Sequence, residues 1–358
     1  MIKILFLVQS SIVRGQAHVE RYIAQALRRH ERVILREIDM ITEVRRAGVS
    51  GADRAEVMSG YRDYLQDEII RWKPDCLLVL SGYAVDELFP GFFHCLREHG
   101  VPIAAWHADD PYYIDIQAKI ASAFQWIFTV ERAAVDLWRT IVPQTHFLPF
   151  GFSADLRHQL DRWPSEKYAS QICFIGAPFR GSRRVSVIDR NASFLRGFKC
   201  RIMGATQTDT WRASLRNYED LRHCVVDSFV DPTESMRYYA AAAVNLNLHK
   251  DSHGHCWDHN CRRIEATSPN ERFFAIAGTG AFQLVDAGRA GLRELFPEDL
   301  VCTFGTDEEF RDKISYYLAH ESFRKSLAER LRVLVSERHT YDRRVRRLIN
   351  LLALSSAS

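Results

Sequence analysis

The chain has 358 residues, of which 47% are hydrophobic and 26% are charged, a composition typical of a globular protein with one large or two smaller domains. Its 48 Lys and Arg residues nearly balance its 45 Asp and Glu residues, so the charge gives no reason to expect a nucleic-acid partner. No apolar run approaches the length of a membrane span, and the N-terminal run is too short for a signal peptide, which together predict a cytoplasmic protein.

Apolar runs of strand length alternate with helical spacings along the chain. In the first part, strands are predicted at 2–8, 33–38, 76–80, 101–106 and 126–130. The alternation weakens over the polar residues 151–170 and then restarts, with strands predicted at 171–175, 199–203, 243–248 and 280–285. Near-continuous apolar strands separated by helices predict an α/β protein with two Rossmann-like, doubly wound domains, which bind ligands where their parallel strands end.

A histidine and two adjacent carboxylates follow the fourth predicted strand. His107, Asp109 and Asp110 therefore lie at the carboxyl end of a parallel strand, where they could act as a base or hold sugar hydroxyls. The alternative is a structural turn in which Asp110 caps the next helix.

A glycine and a run of arginines follow the strand at 171–175. Gly176 would let the backbone approach a phosphate, and the guanidinium groups of Arg180, Arg183 and Arg184 could bind its oxygens. The spacing matches neither a dinucleotide-binding fingerprint nor a P-loop. An ordinary turn before a solvated basic helix face explains the pattern equally well.

A helix is predicted to begin at Asn270 and to end before Gly280. The free N–H groups at its start would suit a diphosphate, and Arg272 would add positive charge. The alternative is a plain capping segment that precedes a buried aromatic pair.

Histidines and cysteines are concentrated between the strand at 243–248 and this helix. The cluster consists of His249, His253, His255, Cys256, His259 and Cys261. Such residues are zinc ligands in other proteins, but their order here matches no zinc-finger spacing. The sequence therefore favours a loop without metal, whose histidines could contact a sugar or its phosphates.

Taken in chain order, these motifs resemble those of GT-B glycosyltransferases, most closely the spore-maturation (CgeB-like) branch. The matching motifs are Trp106-His107-Ala108-Asp109-Asp110-Pro111, Leu148-Pro149-Phe150-Gly151, Phe174-Ile175-Gly176 with Arg183, Asn245-Leu246-Asn247, Asn270-x-Arg272-x-Phe274, and His339-Thr340-Tyr341 with Arg344.

The resemblance implies the GT-B fold, in which two Rossmann-like domains face a cleft. Residues 1–160 would form the acceptor-side domain and 161–335 the nucleotide-sugar-binding domain. The last helix, within 336–358, would cross back to the first domain.

The resemblance also implies an enzyme that transfers a glycosyl group from a nucleotide-diphosphate sugar to an acceptor hydroxyl. It implies no metal and no cofactor besides this donor. The acceptor could be a glycan, a protein or a small molecule. The basic stretch 324–347 is expected to be a solvated helix face, although it could contact an anionic acceptor or a membrane surface.

The resemblance assigns expected roles to individual residues. His107, Asp109 and Asp110 would contact the transferred sugar or the acceptor. The donor-binding residues would be Gly176, Arg180, Arg183, Asn247, His249, Asn270, Glu271, Arg272 and Gly280.

The chain departs from the family pattern at Ala275, where the family usually has a Glu that binds the nucleotide ribose. Glu271, one turn earlier, and Glu265 are the carboxylates that could substitute. The departure keeps two alternatives open, a noncatalytic relative that acts as a binding or assembly protein and a nucleotide-sugar epimerase.

Overall fold

The computed structural model describes residues 1–8, 17–40, 54–156, 166–206, 208–252 and 259–355. The chain divides into two compact units. The first unit comprises Met1–Pro149, Asp258–Ala266 and Tyr341–Ser358, and the second comprises Phe150–Trp257 and Thr267–Thr340. In the described part of the chain, no helix is long and apolar enough to cross a membrane.

The first unit is built on a parallel six-stranded sheet with the strand order β2-β1-β3-β4-β5-β6. The strands are β1 (Ile2–Val8), β2 (Val33–Asp39), β3 (Cys76–Leu80), β4 (Ile103–His107), β5 (Trp126–Thr129) and β6 (Thr145–Phe147). Every residue of β3 and β4 is buried, because helices cover both faces of the sheet.

Seven helices belong to the described part of the first unit. They are α1 (Ala17–Arg29), α2 (Arg54–Trp72), α3 (Tyr83–Leu88), α4 (Phe92–Glu98), α5 (Ile114–Ala118), α6 (Val135–Arg139) and α16 (Tyr341–Ser355). The C-terminal helix α16 packs against α1, with the Tyr22 and Tyr341 rings in contact and Arg29 paired with Asp342 at 2.9 Å.

The second unit repeats the architecture, with the strand order β12-β11-β10-β7-β8-β9 and every pair parallel. The strands are β7 (Ser170–Ile175), β8 (Cys200–Met203), β9 (Val225–Val226), β10 (Ala242–Asn247), β11 (Gln283–Asp286) and β12 (Cys302–Phe304). The helices are α7 (Arg183–Arg190), α8 (Ala192–Leu195), α9 (Trp211–Ser214), α10 (Tyr218–Leu221), α11 (Pro232–Ala241), α12 (Glu271–Thr279), α13 (Gly291–Leu295), α14 (Asp307–Ala319) and α15 (Glu321–Arg338).

Two parallel sheets confirm the predicted α/β fold class. The extents of the units differ from the boundaries expected from the sequence at 160 and 335. The first unit ends at Pro149, its last helix begins at Tyr341, and the chain returns to it at Asp258–Ala266. This return was not predicted, and its physical basis is the packing of Ile264 against the apolar core of the first unit.

Candidate functional site

The ends of three neighbouring strands and the start of one helix meet in the second unit. β10 is the middle strand of the three and pairs with β7 on one side and β11 on the other. The residues that follow or end these strands are Gly176, Leu248, His249 and Asp286, and α12 begins beside them at Asn270. This edge of the sheet, here called the donor edge, is where parallel α/β folds bind ligands.

Two glycines keep the backbone at the donor edge free of side chains. A Cβ atom at Gly176 would lie 2.7 Å from a guanidinium nitrogen of Arg272. A Cβ atom at Gly204, where φ is 129°, would collide with the Gly176 carbonyl. Gly204 therefore requires glycine, whereas a side chain at Gly176 would have to displace the Arg272 guanidinium, which lies directly against the turn after β7.

Arg272 is bonded only to neutral groups. Its guanidinium donates to the Leu248 carbonyl at 3.2 Å and more weakly to Asn247 Oδ1 at 3.5 Å, and it lies 5.1 Å from the centre of the Phe174 ring. Among the described residues, no carboxylate is within ion-pair distance of it. A half-buried guanidinium of this kind favours an anionic ligand.

Arg184 reaches the same carbonyl from the other side. Its Nε donates to Leu248 O at 3.3 Å, and its Nη1 donates to Ala177 O at 2.8 Å. Its guanidinium also lies 5.7 Å from the Phe174 ring. Two guanidinium groups thus converge on one carbonyl oxygen and one aromatic ring, which concentrates positive charge at the donor edge.

The other two arginines of this segment are exposed. Arg183 begins α7, and its Nη1 donates to Ala287 O at 3.0 Å, while its backbone N–H donates to Asp251 at 2.8 Å. Arg180 lies on the turn between β7 and α7. The structure therefore brings Arg183 to the ends of β10 and β11, whereas nothing in it fixes the side chain of Arg180.

A chain of side-chain amides fixes the start of α12. Asn270 caps the helix by accepting from Phe273 N–H at 2.9 Å, and its amide group donates to Asn247 Oδ1 at 2.9 Å. Asn247 in turn donates to Gln283 at 3.0 Å. The helix start is thus held against β10 and β11 by side chains on both strands.

His249 and Asp286 form a buried pair 2.6 Å apart. Burial lowers the pKa of His249 from 6.5 to about 4, although Asp286 opposes the shift. Burial opposes ionisation of Asp286, but the charge and hydrogen bonds of His249 outweigh it and lower the pKa of this carboxyl. At neutral pH the pair is therefore a carboxylate and a neutral imidazole that donates through Nδ1, while Nε2 accepts a long hydrogen bond from Asn270 N–H at 3.5 Å, at the start of α12.

The remaining predicted donor residues lie along α12. Glu271 is half-buried in its first turn, and Ala275 is buried one turn later on the same side of the helix. Gly280 is the C-cap of the helix, with φ of 81°, and a Cβ atom there would meet Arg332. Gly280 thus lies at the opposite end of a helix about 13 Å long, where it ends the helix, and its role in donor binding stays a prediction.

The predicted catalytic residues lie in the first unit, and two of them are buried in its interior. Asp110 Oδ2 accepts from Thr129 Oγ1 and Trp138 Nε1, both at 2.6 Å. The His107 ring is fully buried 4.5 Å from the Trp138 ring. Both side chains are therefore buried, which favours a structural role, and their contact with a sugar or an acceptor stays a prediction. Asp109 is half-buried beside Tyr83 and Tyr113.

The histidine and cysteine cluster is only partly described. His253, His255 and Cys256 lie outside the described residues. His249 pairs with Asp286, whereas His259 and Cys261 belong to the first unit. Where the structure does describe the chain, no group of three or more His, Cys, Asp or Glu residues is arranged to hold a metal ion.

Arg184 was expected, with Arg180 and Arg183, to be able to bind a phosphate, but two residues at the donor edge, Gly204 and Asp286, were absent from the expected binding set. Gly204 was visible only as a glycine after a predicted strand, and Asp286 as the polar end of an apolar run. The position of each at a strand end was the available signal, because parallel strands place such residues at one edge.

Comparison with known proteins agrees with this architecture. Residues 183–350 match the family model described as "Glycosyl transferase-like". Over 264 residues, the chain is 25% identical to the spore protein CgeB of Bacillus subtilis (strain 168), an alignment that covers 73% of this chain and 77% of that protein. The predicted resemblance to CgeB-like glycosyltransferases is confirmed.

Solved structures extend the similarity to the full length of the chain. A sucrose-phosphate synthase from Thermosynechococcus elongatus superimposes with a TM-score of 0.66 at 12% identity, covering 100% of both chains. Anabaena HepE, solved with UDP and glucose, gives a TM-score of 0.63 at 13% identity, covering 99% of this chain and 100% of that one. The chain has the GT-B fold. The match to the family model includes Arg272 and the start of α12 but begins after Gly176.

Proposed function

We propose that this GT-B protein is a glycosyltransferase that holds the diphosphate of a nucleotide-sugar donor at the donor edge. The observation that carries the proposal is Arg272, a half-buried guanidinium bonded only to neutral groups beside the start of α12. The first N–H groups of a helix and its dipole attract an anion to the same place. The glycine backbone at Gly176 allows the phosphates to approach closely.

The same groups would assist the chemical step. When the bond between the sugar and the diphosphate breaks, negative charge develops on the departing phosphate oxygen. Arg272, Arg183 and the start of α12 would stabilise this charge, because they are fixed before the reaction begins. The proposed transfer uses these groups of the chain to neutralise the diphosphate and requires no metal ion.

The structural relatives suggest which donor to test first. HepE has been solved with UDP, with UDP and glucose, and with UDP-glucose. We therefore take UDP as the first nucleotide for this chain, with UDP-glucose as the first sugar donor.

The test is the melting temperature of the protein with UDP, GDP, dTDP, ADP or CMP. A nucleotide present at a hundred times its dissociation constant stabilises the folded protein by about 2.7 kcal/mol. We expect one diphosphate nucleotide to raise the melting temperature, and we expect Arg272→Ala to abolish the rise. The matched control is Arg222→Ala, an arginine of the same unit whose side chain is 70% exposed. Equal rises in both variants would contradict the proposal.

Ala275 favours a second candidate function, that of a binding protein without transferase activity. Ala275 has only a buried methyl group, so it cannot form the hydrogen bond with the nucleotide ribose that the Glu at this position forms in the family that the chain resembles. Incubation with radiolabelled UDP-glucose separates the candidates. Release of UDP that depends on an added acceptor supports transfer, conversion of the donor without acceptor supports an epimerase, and tight binding of unchanged donor supports the binding protein.

A further inference from the structure

Two free cysteines lie side by side in the second unit, where β8 and β9 begin. Cys200 is the first residue of β8, and Cys224 directly precedes β9. The two strands are parallel neighbours, and Ile202 N–H, two residues beyond Cys200, donates to the Cys224 carbonyl at 2.8 Å. Residues placed diagonally on neighbouring strands have Cα atoms about 6 Å apart, a separation that a disulfide can span.

The two sulfur atoms converge on one packed pair of helices. Cys200 Sγ lies 3.2 Å from the carbonyl oxygen of Leu195, the last residue of α8. Cys224 Sγ lies 3.1 Å from the carbonyl oxygen of Leu221, the last residue of α10. Because α8 and α10 pack against each other, both thiols point to the same side of the sheet. The side chains are also buried, so each sulfur has few other directions open to it.

The contact between the two thiols makes them chemically unequal. A hydrogen bond from Cys200 lowers the pKa of the Cys224 thiol, although burial opposes the shift. The same hydrogen bond, and next burial, raise the pKa of the Cys200 thiol. In thiol–disulfide exchange, the thiol that ionises more readily is the one that attacks, and a neighbouring thiol completes the reaction. Cys224 is therefore the attacking thiol of this pair.

Cys224 lies in a part of the second unit that opens easily. In the described part of the chain, β9 has two residues, is the edge strand of its sheet and pairs only with β8. Exposed residues flank the cysteine, with His223 before it and Val226, 41% exposed, at the end of β9. Local opening of such a strand admits a small molecule to Cys224 without unfolding of the unit.

We propose that Cys200 and Cys224 form a reversible disulfide, with a low-molecular-weight disulfide as the oxidant. The Cys224 thiolate attacks one sulfur of the oxidant, which forms a mixed disulfide and releases one small thiolate. Cys200 gives its proton to this thiolate and attacks the Cys224 sulfur, which displaces the second small thiolate. That thiolate takes up the proton that Cys224 had released to solvent. The two cysteines thus lose two electrons, and the oxidant is reduced to two thiols.

This modification goes beyond the proposed function and does not rest on it. The cysteines lie at the amino ends of β8 and β9, whereas Gly204 at the donor edge follows the carboxyl end of β8. The disulfide would close the loop between residues 200 and 224 and so restrict the unfolded chain. We therefore expect the oxidised protein to melt several degrees higher than the reduced protein.

Mass spectrometry of the folded full chain tests the proposal. The reduced protein is incubated with glutathione disulfide, its remaining thiols are blocked with N-ethylmaleimide, and its peptides are mapped without reduction. We expect the peptide that contains Cys200 to be linked to the peptide that contains Cys224, and we expect dithiothreitol to restore both thiols. A link that forms only in urea, or one that joins other cysteines instead, would overturn the proposal.

Serine variants test the order of the two steps. Cys200→Ser should leave Cys224 as a stable mixed disulfide with glutathione, whereas Cys224→Ser should leave Cys200 unmodified. The matched control is Cys173→Ser, which removes a buried cysteine of β7 whose pKa burial raises to about 12. We expect the link between 200 and 224 to form in this variant as in the unchanged protein. Its loss there, or glutathione bound to Cys200 in Cys224→Ser, would contradict the proposal, and if a serine variant melts early the map of the unchanged protein decides.

Discussion

At the scale of single residues, Arg272 at the donor edge differs from the surface arginines Arg190 and Arg196 in how its charge is neutralised. Arg190 pairs with Asp307 at 2.6 Å and Arg196 pairs with Asp220 at 2.9 Å, both on the surface. Such exposed pairs contribute little to stability and indicate no ligand. Arg272 instead contacts carbonyl and amide oxygens and an aromatic face. Together with the adjacent start of α12, this lack of an ion pair makes Arg272 the arginine that we expect to meet an anion.

Acid should destabilise the protein through His249. Its pKa is about 4 in the folded chain and 6.5 in its ordinary state, so the unfolded chain binds more protons between these values. Stability is therefore lost as the pH falls from 6.5 towards 4, by about 2 kcal/mol between pH 7 and pH 5. Urea unfolding at both pH values should show a smaller loss for His249→Gln. An identical pH dependence in this variant would show that another group is responsible.

Asp110 should matter for stability rather than for contact with a substrate. Asp110→Ala would leave the Thr129 hydroxyl and the Trp138 indole N–H buried without their shared acceptor. We expect a loss of about 3 kcal/mol in the free energy of unfolding, against almost none for Asp136→Ala on the surface. A loss no larger than that of the control would return Asp110 to the candidate catalytic residues.

The sequence predicted which residues reach the ends of strands, but not which way each side chain points. Asn270 and Arg272 were identified correctly as the start of a helix beside the strand ends. His107 and Asp110 had the same signal, yet both turn into the interior, because Trp138 supplies a partner from a helix far along the chain. Partners of this kind are set by tertiary packing, which a single sequence does not encode locally.

At the scale of elements, α12 is held in place by close packing as well as by its cap. Gly278 lies near its end, and a Cβ atom there would collide with the ring of Phe152. The helix also packs against α15 and α11. The donor edge therefore depends on a tight contact near the opposite end of the helix from Asn270.

Replacing two helical glycines by alanine should have opposite effects. Gly278→Ala overpacks the contact with Phe152 and should cost about 1–3 kcal/mol. Gly60→Ala, in α2 with open space around it, should stabilise by about 0.5–1 kcal/mol because alanine favours the helix. Chemical denaturation of both variants measures the difference. If both variants are more stable than the unchanged protein, the Phe152 ring must be able to move away from position 278, and the contact is not tightly packed.

Length explains which strands could be predicted. The strands with long apolar runs, such as β1 and β3, have bounds that match the structure. The strands β6, β9 and β12 were missed, since they have only two or three residues, too few to show a period. All three are edge strands of their sheets, where burial is incomplete and the pattern of apolar residues is weaker.

At the scale of the whole molecule, the chain leaves and re-enters each unit. It passes from the first unit to the second after Pro149, returns at Asp258–Ala266, and returns again at Tyr341. The sequence predicted two sheets because their strands and helices have long periodic patterns, and the family resemblance implied the returning C-terminal helix. The short return at 258–266 has no such pattern. It is anchored by hydrogen bonds with backbone groups of Tyr112 and Asp115, and because any residue type can form such bonds, the sequence does not predict them.

Hydrogen–deuterium exchange with and without saturating UDP tests the central claim, a nucleotide site at the donor edge, most directly. We expect slower exchange at the backbone amides of 176–184 and 270–273, where the phosphates would lie, and no such change in Arg272→Ala. Protection confined to the first unit, or binding of UDP with unchanged exchange at both segments, would contradict the claim.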